Sequence, residues 1–265
     1  MRSTGLIGAK VPFMVARTVE RKFVAEDGTV FSAEITRSSE LPPAPIEDFL
    51  PPFGWGDYRG WRRPAKAFVV KADERNSLLR FESDFGLAIA EHLSGRVAIH
   101  AAVVSVGPAT LLFPGRSGSG KSTLAAEALR QGHSVLSDEY CVVTEESLEI
   151  VPWPRPIRLI QLDGTVERQK VPGSYSSGVK TPTHVVNLAF VPSQPEPLRV
   201  EAMSHGQTAF AILENTVCGQ SRPRSSLAVA SELARRASGF AGLRGDALDA
   251  LPELLSLARK PKNSL

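Results

Sequence analysis

The chain has 265 residues, 42% of them hydrophobic and 22% charged, which suits one sizeable globular core or a core domain with an appended lobe and excludes a wholly disordered chain. Lys and Arg number 31 against 28 for Asp and Glu, a formal charge of +3, and the basic residues are scattered apart from short clusters at 59–63 and 259–262, so a nucleic-acid groove is not expected. Cys141 and Cys218 lie outside any zinc or disulfide spacing, and no signal segment or apolar run of membrane-spanning length is visible; a cytoplasmic setting without a membrane partner is expected.

From the N-terminus, Phe23 to Ala25 and Val30 to Ile35 flank Glu26-Asp27-Gly28-Thr29, which predicts a β-hairpin around an Asp-Gly turn. Residues 41–64 hold Pro42, Pro43, Pro45, Pro51, Pro52 and Pro64 with Trp55 and Trp61. So many prolines rule out a helix or central strand, and the segment reads as a loop whose aromatics pack onto the domain. A second strand pair is expected at 67–71 and 78–82 around a polar turn at 72–77, making 1–83 a β-rich N-terminal lobe. Asp84 is placed to cap a helix ending near Leu93, with Gly95 beyond it.

Val97 to Val106 reads as a strand, Gly107-Pro108 as a turn, and Ala109 to Pro114 as an apolar strand entering a glycine-rich loop. A helix is predicted from Lys121 to about Gln131, then a short strand from His133 to Ser137 ending in Asp138-Glu139. Residues 150–185 are rich in Pro, Gly and Ser and read as irregular, followed by a strand at 185–191. Helices at 206–217, 225–237 and 246–260 close the chain, the last kinked or started late by Pro252. Residues 84–265 form the second predicted domain.

The loop Gly115-Arg116-Ser117-Gly118-Ser119-Gly120-Lys121-Ser122 matches the phosphate-loop pattern. Its glycines let successive backbone N–H groups turn inward on phosphate oxygens without Cβ clashes. Lys121 sets a cation on the β- and γ-phosphates, the Ser122 hydroxyl can reach magnesium, and the helix beginning there adds its positive dipole end. The expected nucleotide-binding set is Gly115, Ser117, Gly118, Ser119, Gly120, Lys121 and Ser122, with Thr123 the lesser candidate, and the expected cofactors are ATP and Mg2+. A carboxylate of Asp138 or Glu139, one short helix and one short strand later, can hold magnesium or take a proton from an attacking hydroxyl. His100 lies on the strand whose hairpin partner runs into the loop, so it can return beside the phosphates.

His100-Ala101-Ala102-Val103, the antiparallel pair, the loop from Gly115 to Ser122, and Gly132-His133 followed by Asp138-Glu139 together resemble the C-terminal kinase domain of the HPr kinase/phosphorylase family, over about residues 96–143. The resemblance implies an α/β fold related to phosphoenolpyruvate carboxykinase, with a phosphate loop in a mixed sheet, a β-rich N-terminal part and C-terminal helices. It implies that Lys121 and Ser122 bind triphosphate and metal, that Asp138 is the general base, that Glu139 helps hold magnesium, and that His100 touches phosphate or orients Asp138. The regulatory N-terminal domain and the later glycine- and arginine-rich signature of HPr kinases are not found, and Glu139 stands where Asp is usual.

The chain is more similar to smaller HPr-kinase-related proteins of peptide-modification pathways, including those that phosphorylate the C-terminal serine of lasso-peptide precursors. Pro154-Arg155-Pro156 and the closing helices carry that narrower match. The function so implied is transfer of the γ-phosphate of ATP to a serine hydroxyl of a peptide or small protein, with Arg155 and Arg158 as candidates to meet the transferring phosphate or an acidic substrate group. A small-metabolite kinase and a nucleotide-dependent binding protein in a peptide-modification assembly remain alternatives, and a homo-oligomer is an open expectation.

Overall fold

The computed structural model describes residues 16–37, 46–153, 155–160, 165–169, 180–192 and 196–259. Pro154 and parts of the two predicted loops, at 41–45 and 170–179, lie outside the described residues. The chain divides into two compact units, Met1–Leu50 with Trp55–Gly86, and Pro51–Gly54 with Leu87–Leu265. Both helix and sheet are present in quantity, and the sheets are mixed, so the architecture is mixed α/β.

The first unit holds β1 (Arg17–Ala25), β2 (Val30–Arg37), β3 (Trp55–Asp57) and β4 (Lys66–Lys71) in a sheet of order β3-β1-β2-β4. The predicted hairpin is β1 and β2: Gly28 takes a φ of 86° and the Thr29 amide donates to Asp27 Oδ1 at 2.9 Å, the local chemistry that an Asp-Gly turn supplies. The residues read as a strand at 78–82 are instead part of α1 (Arg75–Glu91). Leu78, Phe81, Phe85 and Ile89 are all buried and recur every three or four residues, a helical stripe that a five-residue window cannot separate from alternation. Asp84 accordingly lies inside the helix, 3.7 Å from Arg80 one turn earlier, rather than capping it.

The proline-rich segment is not all loop, since Ile46–Phe49 forms a 3-10 turn and β3 pairs with β1. Trp55 packs edge-on against Phe23 at 5.5 Å, whereas Trp61 is 93% exposed and does not pack as expected. Phe85 sits at the centre of the aromatic core of this unit, with ring centroids of Phe23 at 4.7 Å, Phe81 at 5.2 Å and Phe68 at 5.5 Å.

The second unit is built on β5 (Arg96–Val106), β6 (Ala109–Pro114), β7 (Ser134–Ser137), β8 (Tyr140–Thr144), β9 (Ile150–Val151), β12 (His184–Phe190), β13 (Leu198–Met203) and β14 (Ser238–Arg244). The sheet runs β13-β14-β12-β6-β5-β8-β9, with β7 also on β5. β6, β12 and β14 are mutually parallel neighbours, and β5, β7, β8 and β13 are antiparallel to their partners. Alternate residues of β5 feed opposite cores. Ala102 and Val104 join Leu124 of α2 (Lys121–Arg130) and Leu251 and Leu254 of α5 (Ala247–Arg259). Val97, Ile99, Ala101 and Val103 join Ile212 of α3 (His205–Leu213) and Val229 and Leu233 of α4 (Pro223–Arg236). Covering both faces explains why β5 and β6 read as continuous apolar runs.

Several strands are not expected from the sequence, β8 and β9 among them. A hairpin of β10 (Ile157–Ile160) and β11 (Val166–Gln169) lies in the segment read as irregular. β13 lies just before the predicted C-terminal helices and β14 between two of them, disguised by Gly239 and Gly242. Both glycines answer close approaches: an added methyl would lie 2.8 Å from the Arg199 backbone carbon at Gly242 and 3.0 Å from Thr208 Cβ at Gly239. α5 begins at Ala247 and continues through Pro252, which forfeits one intrahelical donor rather than delaying the helix. Among the described residues no helix is long and apolar enough to cross a membrane.

Replacing Phe85 with Ala should destabilise the first unit by about 3–5 kcal/mol, because the ring is wholly enclosed by other aromatics. Urea unfolding followed by fluorescence of Trp55, which packs against Phe23 in the same core, would read the loss.

Candidate functional site

The β5–β6 ladder reaches Ala101 and Pro114, and its last bond is from the Gly115 amide to the His100 carbonyl at 3.2 Å. The glycine-rich loop starts at that point. Gly118 and Gly120 take φ values of 85° and 81°, left-handed conformations that a side chain resists, and a methyl on Gly115 would lie 2.7 Å from Ser119 Oγ. Lys121 opens α2 and folds over the loop, its Nζ donating to the carbonyls of Gly115 at 2.6 Å and Arg116 at 2.9 Å. The side chain is 7% exposed. Burial pulls the ammonium below its ordinary pKa, opposed by the nearby Glu139 and Asp138 carboxylates.

β7 and β8 lie in line along the other edge of β5, Ser137 opposite Val103 and Tyr140 opposite His100. Between them the chain bends at Asp138-Glu139. Ser137 Oγ stabilises the bend by donating to the Tyr140 carbonyl at 2.6 Å and accepting from the Glu139 amide at 3.3 Å, while the Ala101 amide donates to the Glu139 carbonyl at 3.0 Å. The bend directs Asp138, 4% exposed, to the glycine-rich loop: Ser122 Oγ donates to Asp138 Oδ2 at 3.4 Å. Of the two predicted hydroxyls, Ser122 meets the acidic bend, and Thr123 is exposed on the first turn of α2.

Glu139 has a different set of neighbours from those expected of a magnesium ligand. Its Oε2 is 2.8 Å from Arg158 Nη2 on β10 and 3.4 Å from Arg155 Nη1 just before that strand. Burial would raise the Glu139 carboxyl, but the two guanidinium groups overcome it and hold the group below the usual carboxylate range. Glu139 therefore ties Arg155 and Arg158 to the acidic bend, and the carboxylate beside the Ser122 hydroxyl is Asp138. His100 sits across from Tyr140 with ring centroids 6.2 Å apart. Burial first, then the Lys121 charge, keep its imidazole below the ordinary His pKa despite the opposing Glu139 carboxylate, so it is neutral at pH 7.

The fold thus gathers His100, Lys121, Ser122, Asp138, Glu139, Arg155 and Arg158 from four separate chain segments. It adds a residue that the sequence reading passed over, Arg244 at the C-terminal end of β14, whose Nη2 donates to the Gly120 carbonyl at 3.0 Å. No local pattern points from position 244 to position 120; only the unrecognised strand joins them. The residues fit a bound nucleotide and metal. Gly118 leaves open space around its Cα, the loop amides and Lys121 supply cationic character, and Ser122 offers a hydroxyl of the kind that magnesium accepts beside phosphate oxygens, with the Asp138 carboxylate next to it.

No family model and no curated protein matches the chain. Among solved structures it is similar to the HPr(Ser) kinase/phosphatase from Coxiella burnetii at 15% identity, over 60% of this chain and 93% of that one, with a TM-score of 0.30. A likeness of that size carries no functional argument; the residues of the site itself do.

The buried His100 also sets a pH dependence. Its folded pKa is lowered, so over the window below the ordinary value of 6.5 the unfolded chain binds the proton first and stability falls as pH falls. His184, lowered by burial, acts in the same direction. His100→Gln should make the loss of unfolding free energy between about pH 7.5 and about pH 5.5 smaller, with the His184 share retained, as measured by urea denaturation at the two values.

Proposed function

We propose that the chain is an ATP-dependent kinase that transfers the γ-phosphate to a serine hydroxyl of a peptide or small protein. The observation that carries this reading is the meeting of Ser122 and the buried Asp138 at the head of α2, beside Lys121. A phosphate loop alone indicates nucleotide binding; a loop whose metal-competent hydroxyl touches a buried carboxylate also has a base for an acceptor.

Phosphoryl transfer demands charge neutralisation and alignment more than covalent help. The loop amides and the α2 N-terminus hold the β- and γ-phosphates, and Lys121 exchanges the Gly115 and Arg116 carbonyls for phosphate oxygens. Ser122 would help hold a magnesium ion, which would supply further charge neutralisation. Asp138 accepts the proton of the acceptor hydroxyl as the new O–P bond forms and the β–γ bridge breaks, with ADP leaving. Glu139 keeps Arg155 and Arg158 fixed beside this point, where their charges can face the transferring group or an acidic neighbour of the acceptor. His100, neutral, fills the floor of the site next to Lys121 without adding charge.

The acceptor class comes from the sequence resemblance, within which the C-terminal serine of a lasso-type precursor is the narrowest form. Incubation with ATP and magnesium should add one phosphate to a peptide ending in serine, detected by mass spectrometry, and none when that serine is replaced by alanine. Asp138→Asn should retain ATP binding while lowering transfer by about 10²- to 10⁴-fold, and Lys121→Ala should weaken ATP binding itself. Near-normal transfer by the Asp138 variant would remove it from the role of base, and a wild-type chain that fails to bind ATP would end the proposal.

A further inference from the structure

Arg244 is 1% exposed, yet its guanidinium has no carboxylate within ion-pair distance among the described residues. Nη1 donates to the Gly245 carbonyl at 2.7 Å and Nη2 to the Gly120 carbonyl at 3.0 Å. Nε is buried without a hydrogen-bond partner among the described residues. The Phe190 ring, at the end of the neighbouring parallel strand, covers the group at 4.8 Å. Buried cations are ordinarily paired with an anion. This one is held in place by two carbonyls and a ring, with the Asp246 carboxylate acting on it only from beyond ion-pair distance, beside a loop built to receive an anion.

The contact with Gly120 is also directional. The Gly120 carbonyl accepts both from Arg244 and from the Leu124 amide at 3.1 Å, which begins α2. In a planar trans peptide the carbonyl and the following N–H point opposite ways, so fixing the Gly120 oxygen fixes the Lys121 amide toward the other side of the peptide. Gly120 is required here twice over, by its φ of 81° and by its neighbour: an added methyl would collide with the guanidinium, 2.9 Å from Cζ.

We infer that Arg244 is a positioning residue for the nucleotide site: it locks the Gly120–Lys121 peptide in its phosphate-binding orientation and holds a permanent positive charge behind the loop, for which the polyphosphate is the counter-charge. This inference rests on the reading of residues 115–122 as a nucleotide site. The group braces the cradle and takes no part in proton transfer.

The test uses the full chain with Arg244→Met, which keeps the length and removes charge and donors, and Arg244→Lys, which keeps charge and loses the planar fork. Calorimetric titration with inorganic tripolyphosphate and with ATP and magnesium reads the loop directly, and thermal melting without ligand reads stability separately. The expected result is a rise in Kd of roughly tenfold or more for both ligands in Arg244→Met and a smaller rise in Arg244→Lys. A merely structural arginine would lower the melting temperature and leave Kd within about twofold in the folded variant, and that result overturns the inference. Should Arg244→Met fail to fold, Arg244→Lys decides by the same criterion. Binding by wild type with unchanged variants defeats the role of Arg244 alone, whereas no binding by wild type defeats it together with the kinase reading.

Discussion

One hydrogen bond marks where the central ladder stops: the Gly115 amide on the His100 carbonyl. Beyond it β6 leaves the sheet as the glycine-rich loop, while the edge of β5 that it vacates is taken up by the Asn215 carbonyl, which accepts the His100 amide at 2.7 Å. The opposite edge of β5 carries the line of β7 and β8, broken at the same level by Asp138-Glu139. Loop and acidic bend are thus two neighbours of one strand, separated by two strand spacings, about 9.5 Å. The Ser122 and Asp138 side chains close that span. Were the ladder to end elsewhere, the same residues would face different neighbours.

What the sequence discloses about this arrangement depends on the range of the interactions. β5, the Gly107-Pro108 turn, β6, the loop, α2 and β7 are consecutive and carry local signals, so the framework of the site and the proximity of His100, Lys121, Ser122 and Asp138 are legible from residue order. Leu78 to Glu82 misleads because the stripe that identifies a helix becomes visible only when Phe85 and Ile89 are included. β14 is hidden for another reason. Its glycines look like loop residues until Arg199 and Thr208, which crowd them, are known to be neighbours. The division of labour between Asp138 and Glu139 is equally beyond the sequence, since both come after the same strand and only the position of β10 decides that Glu139 faces two arginines.

The electrostatics of the site cannot be read from composition. A nearly balanced chain places Lys121, Arg155 and Arg158 near the Asp138 and Glu139 carboxylates, with the His100 imidazole among them, and Arg244 on the Gly120 carbonyl of the loop. Asp138 faces the phosphate loop, and Glu139 organises two of the cations. The local grouping of positive charge arises from topology, because Lys121, the Arg155 and Arg158 pair, and Arg244 come from three segments far apart in the chain. In a weakly charged protein the field of such a locus is short-ranged, with little long-range steering from the rest of the surface.

The reach of Arg244 back to Gly120 has a consequence for biosynthesis. A ribosome releases the loop residues well before β14, and the intervening chain must emerge, form α3 and α4, and lay β14 beside β12 before the guanidinium can arrive. A nascent polypeptide that has not reached position 244 carries every residue of the glycine-rich loop without the hydrogen bond to its Gly120 carbonyl. The contact therefore forms only after the sheet, and the earlier strands of this unit assemble without it.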